Sequence, residues 1–158
     1  MKGVLFTSVF FLSLTLNSQG VSSNWYFGSQ AGITFTTSAP SAVSGANTTN
    51  LGCGSFSDAS GNLLFYIDRG RIYNRSNQVM ANGNMPCDIQ GVQQGVLTLP
   101  KQGFPGQYWV MLNLNRLMVA EIDMSLASGM GSVTAYSPTY CITSDEMTAA
   151  PHSNNSDY

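Results

Sequence analysis

The sequence predicts an all-β protein of short antiparallel strands, and three observations carry that reading. Charged residues are only 9% of the 158-residue chain against 43% apolar, which supports a packed core and opposes disorder. Ser, Thr and Asn supply more than a quarter of the residues, and 16 Gly and 6 Pro interrupt them, a mixture that suits strands and turns and suits long helices poorly. The apolar segments are short, alternate with polar residues, and end at Gly-, Asn- or Asp-bearing turns. At 16.9 kDa the chain has room for one ordinary domain. A net charge of −2 removes the electrostatic basis for wrapping nucleic acid or coating an anionic membrane.

The first twenty residues read as an address. Lys2 precedes an apolar run from Val4 to Leu16, and polar Asn17-Ser18-Gln19-Gly20 follows, with small Ser18 and Gly20 at −3 and −1 of a cleavage site. The apolar run is too short to span a bilayer, so residues 1–20 are expected to be a secretory signal and residues 21–158 a mature domain that is secreted or on the outer cell surface, without membrane insertion. Cys53, Cys87 and Cys141 are an odd set with no Cys-x-x-Cys pair, and His152 is the only histidine, so a zinc site is not expected. Three disulfide pairings, or three thiols, stay open.

In the mature chain, Asn24-Trp25-Tyr26-Phe27-Gly28 opens with aromatics, and period 2 over Ala31 to Thr36 places Ile33 and Phe35 on one strand face. Ser38 to Asn50 is small, polar and Pro-containing, which predicts a loop. Asp58-Ala59-Ser60-Gly61-Asn62 predicts a turn into the strand Leu63 to Asp68, and Arg71 to Asn74 follows as its neighbour across Asp68 to Gly70. Gly95 to Pro100, Gln107 to Leu112, Leu117 to Asp123 and Gly131 to Tyr136 are four further strands. Leu114 to Leu126 carries good helix formers, but Met118, Ala120, Ile122, Met124 and Leu126 alternate with Glu121, Asp123 and Ser125, so strand then loop is expected. Apolar strand, turn and aromatic strand recur near 56–66, 96–110 and 147–158. That repeat of about 40–50 residues is the size of a propeller blade, so the expected fold is a partial, antiparallel β-propeller-like array of four-stranded blades.

Asn24-Trp25-Tyr26-Phe27-Gly28, Ser57 to Tyr66, Tyr73-Asn74-Arg75 with Met80 to Gly83, and Ile122 to Leu126 with Gly129 to Val133 together resemble the N-terminal region of large secreted Bacteroidetes proteins. Those proteins carry a propeller-like β domain, often PKD-type modules, and a C-terminal gliding-motility or type IX secretion sorting domain. The resemblance spans most of residues 21–158. It departs at Asp68-Arg69-Gly70, where Asp-Gly is common, and at Tyr73, where Trp is common. It implies a surface adhesion role, and a chain that continues past Tyr158, since a propeller closes with about four blades or more.

The candidate chemistry is sparse. Glu121 and Asp123 share a strand face that could hold a cation or a glycosidic oxygen, though a solvated face is the ordinary state of such a pair. Adjacent Asp145 and Glu146 point to opposite faces of a strand. His152 sits in a turn-like segment, and no Gly-x-Ser-x-Gly elbow accompanies it. Asp58, Ser60 and Asn62 space oxygens like the opening of a calcium loop but lack the distal Glu, which leaves a plain turn. Trp25, Tyr26, Tyr108 and Trp109 could stack on sugar rings or peptides, and alternation sends either Tyr108 or Trp109 inward. Asn47-Thr48-Thr49, Asn74-Arg75-Ser76 and Asn154-Asn155-Ser156 fit the glycosylation triplet, common by chance in so Asn-rich a chain.

No catalytic, cofactor or metal residue is therefore assigned. The expected function is a non-catalytic extracellular binding or scaffold module, its ligand a glycan or a protein. The alternative is the N-terminal part of a secreted hydrolase, carbohydrate-active or other, with its catalytic residues beyond Tyr158. A third reading is a complete small β-sandwich stapled by a disulfide.

Overall fold

The computed structural model describes residues 20–36, 39–48, 52–85, 95–113, 117–138 and 147–149. The signal segment through Gln19, Cys87, Cys141, Asp145, Glu146, His152 and most of the expected final repeat lie outside the described residues. Among the described residues there is no α-helix, only single 3₁₀ turns at Gly20–Ser22 and Ala127–Gly129, and no helix long and apolar enough to cross a membrane.

The fold is all-β, as expected. A small sheet carries β1 (Asn24–Phe27), β2 (Ala31–Thr34) and β3 (Ser41–Ser44) in that order, antiparallel throughout. β3 corrects the expected loop over Ser38 to Asn50. Its Ser-Ala-Val-Ser sequence lacks the large apolar residues that mark a strand, but β2 presents an open edge, and pairing Ala31–Thr34 with Ser41–Ser44 satisfies backbone groups that would otherwise stand alone. The absence of a side chain at Gly32 admits Val43, whose Cγ2 lies only 2.9 Å from where a Cβ would be. In the three-residue β1–β2 connection Ser29 and Gln30 stand at φ 60° and 65°, a left-handed pair that matches strand twist and lets Ala31 N reach Gly28 O.

The large sheet holds eight strands in two meanders. The first is β4 (Cys53–Ser57), β5 (Leu63–Asp68), β6 (Arg71–Asn74) and β7 (Val79–Asn84). The second is β8 (Val96–Pro100), β9 (Gln107–Asn113), β10 (Leu117–Asp123) and β11 (Ser132–Pro138). They join where β7 and β11 run parallel through a single bridge, Ala81 to Ser132, giving the order β4-β5-β6-β7-β11-β10-β9-β8. Following the strand directions around this order leaves the two edge strands, β4 and β8, parallel to each other. The sheet curls until they meet at Gly54 and Val96, where a Cβ on Gly54 would sit 2.9 Å from the Val96 side chain. The result is a nearly closed, barrel-like sheet.

Alternation fills its interior. In β10, Met118, Ala120 and Ile122 face inward while Leu117, Val119, Glu121 and Asp123 are half-buried, which confirms strand over helix for this segment. Phe65, Ile67, Ile72, Val110, Leu112, Ala120 and Ile122 are almost wholly buried in one cluster, with Met80, Met118 and Met124 filling its irregular gaps. Each large aliphatic or aromatic member contributes roughly 1.5–3 kcal/mol relative to exposure. The small sheet docks through hydrogen bonds at both of its ends and through a column of rings, and Ala46 N donates to the Tyr66 hydroxyl (2.7 Å) while Asn77 Nδ2 donates to Ser44 O (3.2 Å). Asn24 Nδ2 donates to Ser57 Oγ (2.9 Å) and Gly61 O (2.8 Å), while Ser55 Oγ donates to Asn24 O (2.6 Å). Tyr26 stacks on Tyr66 at 4.4 Å and Tyr66 on Tyr73 at 5.0 Å, a three-ring column running from β1 through β5 to β6.

Candidate functional site

The acidic pair lies on the outer face of the β9–β10 hairpin, where Glu121 stands opposite Trp109 and Asp123 opposite Gln107. The β8–β9 turn brings Lys101 onto the same face. Its Nζ is 2.6 Å from Glu121 Oε2 and lies 5.1 Å from the Phe104 ring centre and 5.9 Å from that of Trp109. The Lys101 hydrogen bond holds the Glu121 carboxyl below its usual range, with the Lys101 charge and the Trp109 indole helping against a small opposing effect of burial. Asp123 accepts from the Ser125 hydroxyl (2.6 Å), the Ser125 N–H (2.8 Å) and Gln107 Nε2 (3.0 Å). The Ser125 hydroxyl and N–H, with Gln107, draw its carboxyl down as well. Both groups are ionised at neutral pH, whereas general-acid chemistry needs one carboxyl held protonated.

Asp58 is equally committed. Its Oδ1 accepts the N–H groups of Ser60 and Asn62 at 2.9 Å each, and its Oδ2 accepts Asn62 Nδ2 at 2.9 Å. Desolvation pulls this carboxyl upward, but the Asn62 amide and the N–H groups of Asn62, Ser60 and Gly61 outweigh it and leave it low. The calcium-loop spacing is thus an Asx turn in the structure. Among the described residues no group of three His, Cys, Asp or Glu side chains converges as a metal site. Cys53 is half-buried, and desolvation together with the nearby Asp68 charge pushes its thiol up, away from thiolate reactivity.

The aromatic candidates divide as alternation requires. Tyr108 turns inward to meet Phe56 at 5.0 Å and Phe65 at 5.7 Å, and Trp109 faces out under Lys101. Tyr26 belongs to the ring column. Trp25 is 53% exposed and nevertheless fixed: its Nε1–H donates to Ser22 O at 2.8 Å, and Phe35 meets it edge-on at 5.2 Å. Phe27 and Phe35 are exposed beside it. From Gly3 to Ser57 the chain contains no Asp, Glu, Lys, Arg or His, so the small sheet carries no side-chain charge. Where β4 and β8 splay beyond Gly54 and Val96, an apolar groove of about 370 Å³ opens, bordered by Val21, Phe56, Leu97 and Leu99.

Two of the glycosylation triplets are built into the fold. Asn47 is fully buried and its Nδ2 donates to Phe27 O; Asn74 is buried and its Oδ1 accepts from Ser76 N (2.9 Å) and Gln78 N (3.2 Å). Asn154 lies outside the described residues. The sequence reading missed Lys101, Phe104 and Gln107 as companions of the acidic pair. The available signal was the hairpin itself, since the turn at 101–106 returns the chain beside its own start. No known family model, curated protein or solved structure matches this chain.

Proposed function

We propose that this chain is a non-catalytic recognition or scaffold module of a large secreted or cell-surface protein, with a role in adhesion. The observation that carries this reading is the Trp25–Phe35 corner. A tryptophan half in solvent, with its ring orientation set by a hydrogen bond and an edge contact, offers contact area at little entropic cost, the property expected of a binding anchor. The engaged carboxylates of Asp58, Glu121 and Asp123 support the non-catalytic part. The two four-stranded meanders support the finer proposal that they are blade-like units of a propeller-like domain. The resemblance to secreted Bacteroidetes surface proteins supports the placement outside the cell.

The test is immobilised protein probed with a glycan array and with extracellular-matrix proteins, alongside chromogenic glycoside and peptide substrates. The expected result is capture of a ligand, loss of capture in Trp25→Ala, and no turnover. Turnover abolished by Glu121→Gln would overturn the reading in favour of a hydrolase.

A further inference from the structure

We infer that the seam between β7 and β11 is a binding site for a neutral carbohydrate, an inference that rests on the recognition-module reading and adds to it a second site, apart from the Trp25 corner. The two strands share one bridge and then part, because Asn82 adopts the left-handed conformation (φ 57°) in the middle of β7. Asparagine tolerates this conformation better than other non-glycine residues, and here side-chain contacts hold it there. Those contacts are visible: Asn82 Nδ2 donates to Val133 O at 3.2 Å and to Ser132 Oγ at 3.4 Å, and Ser132 Oγ lies 3.4 Å from Ala81 O. Beyond the bridge the strands border a groove of about 300 Å³, lined by Asn82, Asn84, Thr134 and Tyr136 among others and, among the described residues, by no charged side chain.

The groove's polar groups are the argument. The Asn84 carboxamide, the Asn82 Oδ1 and the Tyr136 hydroxyl have no hydrogen-bond partner among the described residues, and Tyr136 is 48% exposed. A carboxamide offers a donor and an acceptor side by side, the complement of neighbouring hydroxyls on a sugar ring, and an exposed phenol ring offers a stacking plane with a polar tip. An extended peptide fits less well. Strand addition needs a continuous backbone edge, and the Asn82 amide already occupies the Val133 carbonyl at the start of that edge. Among the described residues the lining carries no charge to meet a phosphate or carboxylate, which favours a neutral ligand.

Calorimetric titration of the purified protein with cellohexaose, xylohexaose and mannohexaose, and with polygalacturonate as an anionic comparator, tests the site. Binding of at least one neutral hexasaccharide is expected. Asn84→Ala and Tyr136→Ala should each weaken it about tenfold or more, the size of a lost hydrogen bond or stacking contact. Phe104→Ala, an exposed ring on the β8–β9 turn outside the seam, should leave it unchanged. Both seam side chains are exposed, so circular dichroism and melting temperature should match the wild type. Binding to none of the three neutral sugars, binding to polygalacturonate alone, or binding indifferent to both seam variants would each overturn the inference. Glycan or protein capture lost only in Trp25→Ala would sink the seam site and leave the recognition-module reading standing.

Discussion

Replacing Tyr66 by Phe tests what fastens the three-stranded sheet to the rest of the molecule. The Tyr66 ring is fully buried between Tyr26 and Tyr73, and its hydroxyl accepts from Ala46 N at 2.7 Å while donating to Asn77 Oδ1 at 3.0 Å. The substitution keeps the ring column and deletes both hydrogen bonds. Asn77 is exposed and recovers a partner from water, so its half of the loss is small, about 0.5 kcal/mol. The Ala46 N–H stands in a part-buried site just after β3 and loses its acceptor, at about 1–2 kcal/mol. The sum is about 2 kcal/mol, a fall in melting temperature of roughly 5–10 °C for a domain of this size. Urea unfolding followed by tryptophan fluorescence measures the total. Hydrogen exchange locates it, with added exposure expected at Ala42–Asn47 and not in β9 or β10. A Tyr66→Phe variant within about 0.5 kcal/mol of wild type, or one that loosens both sheets equally, would refute the view that this hydroxyl pins the small sheet.

Two further expectations follow from the same geometry. Gly54→Val places a branched side chain against Val96 where β4 and β8 meet, and it should cost about 1–3 kcal/mol in chemical denaturation, with the loss shared by both strands in hydrogen exchange. Stability should also fall at both ends of the pH range. The low carboxyls of Asp58, Glu121 and Asp123 stabilise the fold above the unfolded value of about 4 and lose that effect as pH drops through their folded values. Burial raises the phenols of Tyr26, Tyr66 and Tyr108, so their contribution is complete below about pH 10 and is lost as pH rises through their folded values. Melting curves from about pH 2 to about pH 12 check both limbs, and a flat acid limb in wild type would show the turn and strand carboxylates to be energetically idle.

How much of this could be read from the sequence depended on whether the signal was local. β5 and β10 were legible to the residue because alternation and turn chemistry act within a few positions, and in β10 period 2 outweighed the helix-forming composition. β3 was not, since Ser41–Ser44 is a strand only because β2 lies beside it. The acidic pair on one face was visible, but its neutralising Lys101 arrives through two hairpins. The parallel joining of β7 to β11 brings Asn84 and Tyr136 together from distant parts of the chain, and no spacing rule foretells a pairing fixed by the curl of a whole sheet.

The burial of Asn47 bears on how this protein can be made. Its amide nitrogen is already bonded to the Phe27 carbonyl inside the fold, so an oligosaccharide attached at that nitrogen would keep the Gly45–Thr48 segment from closing over β1. A eukaryotic secretory host decorates such triplets on the nascent chain, before folding can hide them. Yeast or mammalian secretion would therefore yield two populations, a glycosylated one retained by quality control and an unmodified one that matures. Production in a host without oligosaccharyl transfer, or with Thr49 replaced by Ala, removes that branch point.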